Sequence, residues 1–433
     1  MIRFNNNGGY VFVPPFYLNH VKRIFPILLV SIVFIGCSSE NEQLHQNVPD
    51  IENVNIITQE ASPSKGIRFT KEITYSLPDS LTDSWYYSVG GLGWFAGLAV
   101  SSDGNVFIGD YTNLQVRAFD ANGSFLASMG YRGRGAGEFL SISTISILND
   151  ELHVFDPRLV RESIFSTQSM QLIKDKDVYL HRTSDSIEEL GLRHMYHKIY
   201  LLPNQHYLTG YMEHPTDGRR GSKTFNLDQK RPIHYFFKNE EGELLSTNNI
   251  KLFNYEIIFA EHNGRQFFNS FPLPFLNRSL VSLSKDSQIY AAWTDTAHVK
   301  VYDEMGAYLK SFFFPGDRVK LTREDALAYT KYASENTQQL LQYAELPEYW
   351  PALNRLIVDN SSRLWVSFIN RVDEEIVTKW MVLDPSGELL ATFSWPDTIS
   401  IEEIINNHIY TLETQSDGVQ TVVQYGFELE QIK

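Results

Sequence analysis

The residues best suited to hold a charged ligand fall in two short stretches. Arg132 and Arg134 alternate with glycines in the run Gly130 to Gly137. A guanidinium presents forked N–H donors, so two of them on a glycine-rich loop can grip a carboxylate or a sulfate. They can equally pair with acidic residues of a neighbouring loop, as surface arginines commonly do. Tyr111 and Asn113 follow Asp110 and offer a ring and an amide from a second loop. These four form the candidate ligand-binding set. Asp110 and Asp156 each end an apolar segment, where a carboxylate usually accepts backbone N–H groups of the next loop; the alternative is a place at the mouth of a channel.

Other chemistry has weaker footing. His194 and His197 stand three apart with no third ligand nearby, and His153, His206, His298 and His408 sit singly in strand-like segments. A metal site needs convergent imidazoles and carboxylates, so no metal ligand is assigned. No Gly-x-Ser-x-Gly elbow, P-loop or dinucleotide fingerprint occurs, and the run 130–137 opens no helix. No catalytic residue and no cofactor is identified; the reading leans away from an enzyme.

Cys37 is the single cysteine of the chain, so no internal disulfide exists. It follows Lys22-Arg23, an apolar run from Ile24 to Ile35, and Gly36. A basic start, a short apolar stretch and a small residue before the cut describe a secretory signal. Phe34-Ile35-Gly36-Cys37 looks like a lipobox, although Leu is usual where Phe34 stands; the resemblance implies lipidation of Cys37. Residues 1–36 are therefore the expected signal region, with translation starting at Val21. Residues 37–66 are polar and read as a lipidated flexible tether. Residues 67–433 form the folded domain.

The elements that must carry these residues are short strands. From Gly97 to Met129 four apolar segments are separated by Asp103-Gly104, by the loop after Asp110, and by the turn Asp120 to Gly123. Asp-Gly pairs supply the positive φ of tight hairpins, so the stretch reads as a β-meander. The pattern returns at 280–313 and 356–393; from Asp103 to Asp120 is 17 residues, as is Asp286 to Asp303. Weaker copies begin near 144, 197 and 402, the copy near 197 being assigned Gly242 to Leu245 as its last strand. Recurrence at fixed spacing marks a repeat architecture.

Residues 97–139 resemble an NHL repeat through Asp103-Gly104, Asp110, Asn113, Val116, Phe119, Asp120, Gly123, the glycines of 130–137, Glu138 and Phe139. The resemblance implies an all-β fold, a six-bladed β-propeller of four-stranded antiparallel blades, similar to propeller lipoproteins of Gram-negative bacteria. Lactonases that bind calcium and metal-dependent lyases exist on similar rings. A channel-bound calcium or other divalent ion, held by groups from different blades, is thus the alternative that local spacing does not address. Ring closure requires the first and last blades to be stitched, a role assigned to the alternating run Arg68 to Leu77.

In such a ring the tight Asp-Gly turns share one face. The long insertions 176–195, 212–232, 248–278, 315–352 and 368–376 all fall on the other, and long loops of compact domains carry function. Within them 322–344 reads as one helix between blades four and five, with Thr322 as N-cap and Asp325 completing a capping box. It either packs over the ring or forms a lid. Phe253, Tyr255, Phe259, Phe267, Phe268, Phe271 and Phe275 make a satellite core or an aromatic platform.

The net charge of −15 argues against nucleic acid as a partner. The expected protein is an exported binding module, attached to the membrane by its lipid alone and monomeric. Its ligand is a small molecule, a glycan or a protein. A hydrolase or lyase with a metal at the channel mouth is the alternative.

Overall fold

The computed structural model describes residues 49–76, 97–178 except 112, 187, 192–213, 231–331 except 270, 333–414, 416 and 420–432, together with two short paired strands, Arg3–Phe4 and Tyr10–Val11. Cys37 and Val21 lie outside the described residues, as do Leu77, most of 179–191 and 214–230.

Local turn chemistry sets the meanders. In the turn of blade 1, Asp120 Oδ1 accepts the backbone N–H groups of Asn122 at 2.9 Å and Ser124 at 2.8 Å. Gly123 then sits at φ +86°, where a Cβ is strained. Asp303 repeats the arrangement with Met305 and Ala307, and Asp384 with Ser386, Gly387 and Glu388. Each turn joins the third and fourth strands of its blade.

Six sheets result. Blade 1 is Leu98–Val100, Val106–Asp110, Gln115–Phe119 and Phe125–Met129; blade 2 is Thr144–Leu148, Glu151–Asp156, Arg161–Ser166 and Leu172–Asp177. Blade 3 is Leu192–Leu201, Tyr207–Glu213, Pro232–Lys238 and Ile250–Phe253. Blade 4 is Ser279–Leu283, Ile289–Trp293, His298–Tyr302 and Tyr308–Phe313. Blade 5 is Arg355–Val358, Leu364–Val372, Glu375–Leu383 and Leu389–Pro396; blade 6 is Ile399–Ile405, His408–Thr414, Gln420–Gln431 and, from the N-terminal side, Lys65–Tyr75. The chain is a six-bladed β-propeller, and Lys65–Tyr75 pairs antiparallel with Gln420–Gln431 to close it.

Both faces of each blade are apolar because each meets a neighbour. In blade 1, Val106 and Ile108 pack toward blade 6 with Tyr410 and Leu412, while Phe107 packs toward blade 2 with Leu152 and Val154. Equivalent layers lie between blades 2 and 3, 3 and 4, 4 and 5, and 5 and 6.

Three expectations need correction. The outer strand of blade 3 is Ile250–Phe253, not 242–245; Asn239 caps the turn before it, accepting from Glu243 N at 2.7 Å, and the chain crosses to the sheet edge only afterwards. The segment 322–344 is two helices, Arg323–Tyr329 and Glu335–Tyr343, because Ser334 caps a new start. The Thr322–Asp325 capping box is present as read. The 37–66 stretch is not all tether: Val54–Ile56 adds a fifth, parallel strand to blade 4 beside Ser311–Phe313. From there the chain runs on to blade 5, where Lys379 Nζ donates to Gln59 O at 2.6 Å.

The insertion 368–376 is an extension of two paired strands rather than a loop, turning through Asp373 and Glu374 at positive φ. Beyond blade 3 a hairpin, Phe259–His262 with Arg265–Phe268, packs its Ala260 and Phe267 on Leu340 of the second helix and on its C-cap Ala344. Leu273, Phe275, Ala326, Leu341 and Trp350 unite the two insertions in one apolar core, with the His262 and Tyr343 rings stacked at 3.8 Å. Of the aromatics of 253–275, Phe267, Phe271 and Phe275 join this satellite core, whereas Phe268 is exposed.

Candidate functional site

The first strands of the blades lie next to one another around the axis, in contact between blades 1 and 2, 2 and 3, 4 and 5, 5 and 6, and 6 and 1. Each begins on the face that carries the insertions. Arg278 immediately precedes the first strand of blade 4, Arg355 opens that of blade 5, and Ser400 and Glu402 belong to that of blade 6. Three blades thus bring two guanidinium groups to one end of the central channel.

Arg278 is held on all sides. Its backbone N–H donates to Thr294 Oγ1 at 2.8 Å, and Thr294 Oγ1 donates to Asn277 Oδ1 at 3.4 Å. Asn277 in turn donates from its backbone N and its Nδ2 to Glu256, at 3.0 and 2.9 Å. The Arg278 Nη1 donates to Pro274 O at 3.0 Å, and Nη2 to Asn354 O at 2.8 Å and Asn354 Oδ1 at 3.4 Å. Its partners are carbonyl oxygens; no carboxylate pairs with it among the described residues. Desolvation first, and then the charge of Arg355, draws it down to about 10. Arg278 as a residue is nevertheless only partly buried.

Arg355 is compensated. Its Nη2 donates to Ser400 Oγ, and to Glu402 Oε1 at 3.3 Å, while Ser400 Oγ donates to Glu402 Oε1 at 2.6 Å. A register shift between Ile401 and Glu403 marks a bulge at Glu402, the device by which a strand re-aims a side chain. The Tyr329 hydroxyl, from the first insertion helix, feels Asp397 and both arginines; burial leads in pushing it up to about 12. Burial also raises Asp397 and brings Glu403 to about 7.

The residues singled out from sequence lie elsewhere on the same face. Asn113 is committed to its own loop: its N–H and Nδ2 donate to Asp110 at 2.9 and 2.8 Å, and Arg117 approaches the same carboxylate at 3.4 Å. Tyr111 packs against the apolar layer of blades 1 and 2. Asp156 gathers four backbone N–H groups, from Leu140, Ser141, Arg158 and Leu159. Both aspartates thus hold loops.

The glycine-rich run wraps the Glu138 carboxylate, which accepts Gly135 N at 2.7 Å. A Cβ at Gly133 would stand 1.8 Å from Glu138 Oε2, so the glycine is needed for that approach. Arg132 and Arg134 point outward and are exposed, without an ion pair among the described residues. Arg278 and Arg355 carry no local motif; positions just before or at the start of an inner strand, on the insertion side, are the signal that would have found them. Among the described residues no three His, Cys, Asp or Glu side chains gather as a metal site would require.

Fold and site define a class: a six-bladed propeller with the insertions 254–278 and 314–354 packed together on one face. Residues 98–256 match a family described as 6-bladed beta-propeller, DUF5128. A Bacteroides fragilis protein described as exported is similar over 87% of this chain and 99% of its own, at 10% identity and a TM-score of 0.48. A DUF4221 family member from Bacteroides vulgatus is similar over 85% and 100%, at 9% identity and 0.46. The PQQ-bound aldose sugar dehydrogenase of Streptomyces coelicolor is similar over 85% and 100%, at 10% identity and 0.40. Likeness at this level says nothing of ligand or reaction. No curated protein matches the chain.

Proposed function

We propose that the chain is an exported binding propeller, anchored through a lipid on Cys37, that takes its ligand at the insertion-bearing face. One observation carries the reading. The insertions 254–278 and 314–354 share a buried core of Leu273, Phe275, Leu341 and Trp350 and stand beside the channel mouth, whereas the opposite face ends in short Asp-x-x-Gly turns. An ordered superstructure on one rim of a rigid ring is how propellers and barrels build specificity on a fixed scaffold. The ligand is a small molecule, a glycan or a protein segment, bound by a monomer whose only membrane attachment is the lipid.

Hydrogen exchange on the full-length protein tests the reading. After a screen of glycans, peptides and metabolites, a bound compound should protect segments within 130–140, 254–278 or 314–354. Protection confined to the turns at 103–104, 120–123, 303–306 and 384–387 would place binding on the wrong face. Arg132→Ala with Arg134→Ala separates the outer rim from the mouth: loss of binding in that variant assigns the ligand to the glycine-rich loop.

A further inference from the structure

Resting on the binding reading above, we infer that the channel mouth between blades 4, 5 and 6 is a carboxylate-binding subsite, with Arg278 and Arg355 as its cationic wall. Arg278 bonds to Asn354, the residue before Arg355, so the two guanidinium groups lie close together, and Glu402 compensates one of them. Among the described residues Arg278 donates only to neutral carbonyls. Enclosing a charge without a counterion is costly, and the arrangement persists because Pro274, Asn354 and the Asn277–Glu256–Thr294 chain hold the arginine in place. A ligand carboxylate would supply the missing charge.

The chemistry favours a single negative charge. One uncompensated guanidinium matches one carboxylate; a dianionic phosphate would leave excess negative charge beside Glu402. Arg355 already shows the mode of recognition, since a carboxylate and a hydroxyl, Glu402 and Ser400, dock side by side on its Nη2. The Tyr329 ring packs on Trp350 at 5.5 Å in the insertion core beside this pair of arginines. A ligand bearing a carboxylate next to hydroxyl groups, an acidic sugar, meets the guanidinium donors in kind. The site is also an electrostatic exception: in a chain of net charge −15 a local positive site selects anions by its enclosed geometry rather than by the field of the whole protein.

The test is thermal unfolding of the purified full-length protein in sodium D-glucuronate, acetate, sulfate or chloride at equal ionic strength, with D-glucose as the neutral control. Glucuronate should raise Tm above chloride, and more than sulfate or glucose does. Its apparent Kd should weaken at least tenfold in Arg278→Gln and in Arg355→Gln. Arg278→Lys keeps the charge but gives up the fork; it should weaken binding at least threefold, and it decides the matter where a Gln variant does not fold. Equal stabilisation of the wild type by chloride and glucuronate, or by sulfate and glucuronate, overturns the inference, as does an unchanged response in the Arg278 variants. A glucuronate response that survives at Arg278 and Arg355 but vanishes in Arg132→Ala/Arg134→Ala overturns this subsite and leaves binding at the insertion face standing. Exchange protection on the tight-turn face overturns both.

Discussion

Gly123 shows how a repeat motif and ring closure are coupled. It occupies φ +86°, and a Cβ built there would lie 2.6 Å from Ile73 Cγ2, on the N-terminal strand that completes blade 6. Gly123→Ala therefore carries two costs. The left-handed backbone contributes about 1–2 kcal/mol, and the clash with a well-packed side chain adds about 1–3 kcal/mol, giving about 2–5 kcal/mol together. Gly264 is the matched control: it sits at φ +73° with nothing within 4 Å of the added Cβ, so Gly264→Ala should cost only the backbone part. The assay is chemical denaturation of both variants, then of Gly123→Ala combined with Ile73→Ala. Removing the Ile73 branch should recover the clash, so the double variant should be more stable than the sum of the single changes by about 1 kcal/mol or more. Equal costs at Gly123 and Gly264, or strict additivity with Ile73→Ala, would refute the reasoning.

Three further outcomes follow from other parts of the molecule. Cys37→Ala should release the protein from membranes or block its processing; unchanged fractionation and unchanged mass would exclude lipidation there. Burial raises the Glu403 carboxyl from 4.5 to about 7, so the folded state keeps a proton that the unfolded chain gives up. That stabilisation is full below pH 4.5 and is lost as pH rises through about 7. Relative to wild type, Glu403→Gln should accordingly gain stability between pH 5 and pH 8, read from Tm across the range, and a flat difference would contradict it. Arg371 Nη2 pairs with Asp325 Oδ2 at 2.7 Å, tying the first insertion helix to the long hairpin of blade 5. Arg371→Ala should cost about 1 kcal/mol and hasten proteolysis near 322–334, while an unchanged cleavage pattern would show that the tie is idle.

The sequence alone determined the ring. Strand, turn and strand are neighbours in the chain, so Asp120 to Gly123 and Asp384 to Gly387 announce hairpins wherever they occur, and their equal spacing announces blades. The closing strand was legible for the same reason: the alternation in 68–77 is a local property. The capping box at Thr322 and the loop-holding role of Asp110 also act within a few residues, whereas Asp156 holds its own loop and reaches Leu140 and Ser141 some way up the chain as well. What the tertiary structure decided depends on residues that the chain separates. The turn glycines keep their place partly because each abuts the preceding blade: Gly123 on Ile73, Gly306 on Phe237, Gly387 on Phe312. Residues 54–56, too polar in context to suggest a strand, pair because blade 4 offers an open edge. The candidate site was illegible for the strongest form of this reason. Arg278 meets Asn354 across 76 residues and Arg355 meets Ser400 across 45, so only the closing of the ring brings these groups to one mouth. Arginine in a glycine-rich loop looks conspicuous in a sequence; arginine beside an inner strand becomes conspicuous only when the neighbouring blades enclose it without a counterion.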